Sequence, residues 1–187
     1  MKKALLVALA LIASVAQAED TTKNFGHIQY AYRSTVGDNA TDPNRQGGGI
    51  TLGHKFSNKA QIDLVSQFRK ENGDTTNTMG RTEVGATLSE GHFYVRGATG
   101  LKYNSTDSDG YYSIEPGLKV KLNDTWSTKV GYRFRDSYSD SANDRTNTAR
   151  LGVEYAVDEK SSLTAQYDRS YGDAEFNGVN LGYYFKF

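Results

Sequence analysis

Gly178-Val179-Asn180-Leu181-Gly182-Tyr183-Tyr184-Phe185-Lys186-Phe187 alternates with a period of two. In an extended strand Val179, Leu181, Tyr183, Phe185 and Phe187 share one face, and Asn180, Gly182, Tyr184 and Lys186 the other. Five apolar side chains opposite polar or small ones describe a strand with one face in an apolar medium. That medium is either a protein core or lipid, and the rest of the chain decides between them.

The other end of the chain carries an export pattern. Lys2 and Lys3 precede the apolar run Ala4 to Val15, and Ala16-Gln17-Ala18 forms a small-x-small cleavage site. The run is too short to cross a bilayer as a helix, which needs about 20 residues. Residues 1–18 therefore read as a cleaved secretory signal, and 19–187 as one exported domain. No later segment reads as a membrane-spanning helix, and mean hydropathy is low at −0.65. A barrel reconciles export with that polarity, because only alternate residues of a barrel strand meet lipid. The absence of cysteine excludes disulfides and thiol chemistry. Abundant Gly (19) and Tyr (13) with scarce Pro (2) suit long strands bearing aromatic interface girdles.

Nine further stretches alternate in the same way, at 25–34, 46–56, 60–70, 79–89, 92–102, 111–122, 125–135, 147–157 and 161–170. In the third, Ile62, Leu64 and Phe68 oppose Gln61, Asp63, Gln67 and Arg69. Short turns at 57–59, 90–91, 123–124 and 158–160 alternate with longer polar loops at 35–45, 71–78, 103–110, 136–146 and 171–175. Antiparallel outer-membrane barrels show this succession, with short periplasmic turns, long external loops and an even strand number. Strand lengths near ten match a tilted membrane crossing of about 9–11 residues. A soluble lipocalin-type barrel would bury the apolar face inward, and alternation alone leaves that choice open. The export signal, the terminal aromatic and the loop alternation assign the apolar face to lipid. The expected fold is an all-β, antiparallel transmembrane β-barrel of about ten strands, with twelve or eight as even-numbered alternatives. Its expected address is the bacterial outer membrane. Phe187, Phe185 and Tyr183 form the expected signal to the barrel-assembly machinery, with lipid and lipopolysaccharide as surroundings.

In that register the charges separate. Arg33, Lys55, Arg69, Arg81, Arg96, Lys102, Lys119, Lys121, Lys129, Arg133, Arg135, Arg150 and Lys186 point inward, with Asp63, Glu83, Glu115, Glu154 and Asp168. Thirteen cations thus share the lumen with five acids. The loops reverse the sign, with eleven acids, among them Asp38, Asp107, Asp136 and Asp173, against Arg45 and Arg145. Five acids cannot neutralise thirteen bases, so the surplus is expected to face water and attract anions. Rings of Arg and Lys set selectivity in anion pores. The expected pore lining is Arg33, Arg69, Arg81, Arg96, Lys119, Lys129, Arg133, Arg135 and Arg150. The alternative is a lumen plugged by Arg–acid networks, since eight strands leave an interior that side chains just fill. Inward glycines such as Gly85, Gly117 and Gly131 fit either an open lumen or long arginines lying flat.

Ser113-Ile114-Glu115-Pro116-Gly117, followed by Trp126-Ser127 and Tyr132-Arg133-Phe134-Arg135, resembles the central region of the oligogalacturonate-specific porins, the KdgM-like family. Gln29-Tyr30-Ala31-Tyr32-Arg33 is similar to that family's first strand. The resemblance implies a narrow monomeric barrel that passes acidic oligosaccharides along an arginine-lined lumen. That family has twelve strands, and its basic–acidic run after the first Tyr-Arg is replaced here by Ser34-Thr35-Val36.

Some small outer-membrane barrels are enzymes, with His, Ser and carboxylates near the outer rim. Here His27, His54 and His92 all fall at the periplasmic ends of their strands, away from the long loops. Asp107-Ser108-Asp109-Gly110 is a fragment of a calcium loop without the further oxygen ligands and late Glu such a loop needs. No metal, cofactor or nucleic-acid partner is expected, and basic residues that alternate inside a barrel form no surface stripe. The expected function is passive passage of small anionic solutes or acidic oligosaccharides. A closed structural or adhesive barrel, whose loops touch lipopolysaccharide or a host surface, is the alternative.

Overall fold

The computed structural model describes residues 23–36, 44–71, 78–104, 107–139, 145–173 and 175–187. The expected signal at 1–18 lies outside the described residues. Ten strands follow one another: β1 (Lys23–Thr35), β2 (Arg45–Lys55), β3 (Ala60–Glu71), β4 (Thr78–Glu90), β5 (Phe93–Tyr103), β6 (Ser108–Lys121), β7 (Trp126–Ser137), β8 (Thr146–Ala156), β9 (Ser161–Gly172) and β10 (Phe176–Lys186). Each pairs antiparallel with its sequence neighbours, and β1 pairs with β10 to close the barrel. The seam runs from Phe25 opposite Lys186 to Thr35 opposite Phe176, and the Phe187 amide donates to the Asn24 carbonyl at 3.0 Å. Closure leaves no open sheet edge, the condition for a sheet in lipid.

The strand faces sort as the alternation predicts. Val179, Leu181 and Tyr183 are exposed on the outer wall, with Ile28, Leu64, Val84, Ile114, Val130 and Leu151 around the ring. Two aromatic girdles bound this apolar band. Phe93, Trp126, Tyr155, Tyr183 and Phe187 circle the short-turn end, and Phe68, Tyr103, Tyr112, Tyr138 and Tyr171 the other.

Boundaries shift in places. β6 begins at Ser108 rather than 111, because backbone pairing with β5 (Tyr103 opposite Ser108) continues past the last alternating apolar residue. Pro116 sits in the middle of β6 facing outward. It lacks an amide hydrogen, and β6–β7 pairing skips Glu115 and Pro116 while keeping the same register on either side.

Candidate functional site: the cation-rich lumen

Ten strands about 4.8 Å apart and tilted about 40° give a backbone radius of about 10 Å, so long side chains reach along the inner wall to strands two places away. The inward acids each gather cations. Arg96 on β5 bridges two strands of acids: its Nη2 lies 2.5 Å from Asp63 Oδ1 on β3, and its Nη1 lies 2.6 Å from Glu83 Oε1 on β4. Tyr111 donates its hydroxyl to Glu83 Oε2 at 2.6 Å. Glu115 on β6 pairs with Arg150 on β8 and, at 3.3 Å, with Lys129 on β7, and it accepts the Tyr94 hydroxyl at 2.9 Å. Glu154 takes Lys119 at 2.8 Å. Asp168 accepts from Gln166 at 2.7 Å and lies 3.6 Å from Arg150 Nε.

Two glycines make these contacts possible. A Cβ on Gly85 would fall 2.6 Å from Arg96 Cζ, and one on Gly131 would meet the Tyr94 hydroxyl and, at 3.1 Å, Glu115 Oε1. The inward glycines thus accommodate side chains lying flat.

The remaining cations form a second population. Among the described residues, no carboxylate lies within ion-pair distance of Arg33, Arg69 or Arg133. Arg33 instead stacks 3.8 Å over the Phe176 ring. Arg69 donates to Gln67 Oε1 at 3.2 Å, an oxygen shared with Arg81 at 2.8 Å. Arg133 is 2 % exposed. The surplus was expected to face bulk water; at Arg133 it is instead enclosed by neighbouring side chains at the inner end of the lumen.

A cavity of about 770 Å³ enters the lumen. Its mouth lies among the short turns, at Asn58, Gly91 and Asn123, and its inner end is walled by Arg33, Arg69, Arg81, Arg133 and Arg150. Nearer the long loops the interior is filled. Tyr111, Thr148 and Ser170 have no exposed surface, and Thr146 and Arg135 are buried beside them. Arg135, expected to line a path, therefore lies in this occluding layer, 5.6 Å over the Tyr111 ring. Arg96, Lys119, Lys129 and Arg150 reach the cavity but are engaged by acids. Tyr94, Tyr111, Gln67 and Phe176 were not read as site residues. Their signal was available: each is a large side chain at inward parity, and Tyr94 faces Gly117 across the β5–β6 pair.

The acidic rim is partly visible. Asp136 pairs with Arg145 at 3.1 Å, and Glu175 with Arg169 at 3.5 Å. Asp38, Asp42, Asp74, Asp140 and Asp144 lie outside the described residues. His27 shares a hydrogen bond with Thr164 at 2.9 Å inside the mouth, whereas His54 contacts Asn24 at 2.8 Å on the outer wall.

No curated relative matches the sequence. An outer membrane channel from Pseudomonas putida F1 superposes with a TM-score of 0.52 at 10% identity, over 91% of this chain and 97% of that one. The KdgM porin in complex with disordered oligogalacturonate gives 0.46 at 9% identity, over 89% and 99%. Ail, the attachment invasion locus protein of Yersinia pestis, gives 0.45 at 13%, over 88% and 98%. At such identities the likeness is one of fold. The family described as outer membrane protein beta-barrel domain matches residues 4–187. Closed wall, lipid-facing apolar band and family match agree, and the chain belongs to the outer membrane β-barrel domain family.

Proposed function

We propose that the barrel is a passive outer-membrane channel selective for small anions, acidic oligosaccharides included. The observation that carries this reading is the lumen charge: thirteen inward cations against five acids, with Arg33, Arg69 and Arg133 unneutralised at the end of a 770 Å³ cavity. Confined like charges concentrate counter-ions and repel co-ions. The occlusion described above consists of side chains, so passage needs Tyr111 and Arg135 to swing aside, not strands to part.

The filled layer is also the observation that favours a second reading, a closed barrel whose role lies in its loops. Planar-bilayer recording across a salt gradient separates the two. The channel reading expects small unitary currents with an anion-selective reversal potential, weakened by Arg69→Gln. Cation selectivity sinks it, and silence under all voltages leaves the closed barrel.

A further inference from the structure

The inner end of the cavity holds an unfinished hydrogen-bond network. Arg33 from β1, Arg69 from β3, Arg81 from β4 and Arg133 from β7 converge there from four strands. Their nearest acids have little left to offer. Glu83 already takes Arg96 and Tyr111, with Arg81 a further 3.8 Å away. Asp168 takes Gln166, Asn180 and Arg150. The Nε atoms of Arg69, Arg81 and Arg133, and Nη1 of Arg81, are buried donors without an acceptor. Buried N–H groups are almost always satisfied, and a guanidinium left so is costly. Four orphan donors on three arginines, with the Arg33 charge beside them, call for an acceptor with several oxygens and more than one negative charge.

We propose that Arg33, Arg69, Arg81 and Arg133 form a seat for a multiply charged oxyanion of the phosphate or sulfate type, filled from the periplasmic mouth. Guanidinium forks suit such oxygens. All four arginines line the same cavity that opens among the short turns. Lys121, Lys119 and Lys129 line the way in, each paired with an acid, so the unpaired positive charge lies at the inner end. The filled layer of Tyr111, Thr148 and Ser170 stands on the far side, so the seat is reached from one direction. A monovalent ion neutralises one charge of the cluster, whereas a divalent oxyanion also supplies the missing acceptors. The seat goes beyond the channel reading, because it holds an ion whether or not current flows.

The test uses the full-length barrel refolded in detergent, with thermal unfolding followed by Trp126 fluorescence. Inorganic phosphate, sulfate, acetate and chloride are titrated at matched ionic strength. Phosphate and sulfate are expected to raise the midpoint saturably, shifting the unfolding constant roughly 100-fold at about 100 times Kd. Arg69→Gln and Arg133→Gln are expected to abolish that response. Each should also raise midpoints in chloride, because each removes an unpaired buried charge; a merely structural arginine would lower them. Lys59→Ala, at a distant exposed turn, should keep the response. Equilibrium dialysis of labelled phosphate against the wild-type barrel reads binding directly if a variant fails to fold. No saturable phosphate effect, an equal effect of acetate, or an effect kept by both Arg variants overturns the seat. Phosphate binding without bilayer current removes the channel and keeps the seat; anion current without phosphate binding does the reverse.

Discussion

Replacing Glu115 by Gln should unbalance the lumen's principal charge cluster. The carboxylate is almost wholly enclosed and meets Arg150, Lys129 and the Tyr94 hydroxyl. Gln keeps the volume and removes the charge, which leaves two cations facing a neutral amide. Breaking a buried pair from one side costs about 3–5 kcal/mol. Two features pull the figure to the lower end: Asp168 lies 3.6 Å from Arg150, and the Lys129 side chain is 39% exposed to the cavity. The expected loss is therefore about 3 kcal/mol, a shift of roughly 150-fold in the unfolding constant at 1.36 kcal/mol per decade. Denaturant unfolding of the refolded barrel, read through its single tryptophan, measures it. Trp126 faces outward and packs on Tyr155 at 4.9 Å, so the probe does not touch the mutated cluster. Arg150→Gln completes a double-mutant cycle and isolates the pair. A loss below about 1 kcal/mol, the range of exposed ion pairs, would refute a desolvated lumen network.

Gly85→Ala should drive a methyl into the Arg96 guanidinium and weaken its grip on Asp63 and Glu83; about 1–3 kcal/mol lost in the same assay is expected, and an unchanged midpoint counts against the flat-lying arginine. In the β8–β9 turn, Asp158 accepts from the Ser161 hydroxyl and from the Lys160 and Ser161 amides, which hold its carboxyl below the usual range. A depressed folded pKa means the turn is fully supported above the unfolded value and loses that support as pH falls through the folded one. Amide exchange at Lys160 and Ser161 should accelerate on acidification in the wild type and be pH-flat, beyond intrinsic exchange, in Asp158→Asn. Phe187→Ala is expected to reduce folded barrel in cells while leaving denaturant stability of the refolded protein nearly intact, since the residue is 68% exposed and, among the described residues, its ring meets the Phe185 ring alone. Equal losses in both measurements would make Phe187 a packing residue and not a label.

The wall was legible because lipid imposes a strict rule on alternate residues. Leu151, Val153 and Tyr155 could face one way only once Arg150 and Glu154 faced the other. The same parity turned Arg33, Arg69, Arg81, Arg96, Arg133 and Arg150 toward the cavity. Partnership was not legible, because it depends on curvature and stagger. Arg96 finds Asp63 two strands away, and Tyr111 finds Glu83 likewise. No spacing along the chain encodes these meetings; they follow from closing ten tilted strands into a ring of small radius. The occluding layer escaped for a related reason. Thr146, Thr148 and Ser170 are short polar residues that look solvent-facing in sequence, yet they are buried with Arg135 and Tyr111 toward the long loops.

The seam between β1 and β10 has a consequence for how the barrel is made. Phe25 and Lys186 stand about 160 residues apart in the chain, whereas every other ladder joins neighbours in sequence. Until that last pairing forms, two raw edges of backbone donors and acceptors remain open, each a template for a foreign strand. Long-range closure is also the slow step in β topologies. The growing sheet is thus most vulnerable when almost complete, and a zipper of local hairpins waits on its final tooth. An escort that shields those edges, or a lipid surface that admits only the finished ring, decides whether the chain becomes a barrel or an aggregate.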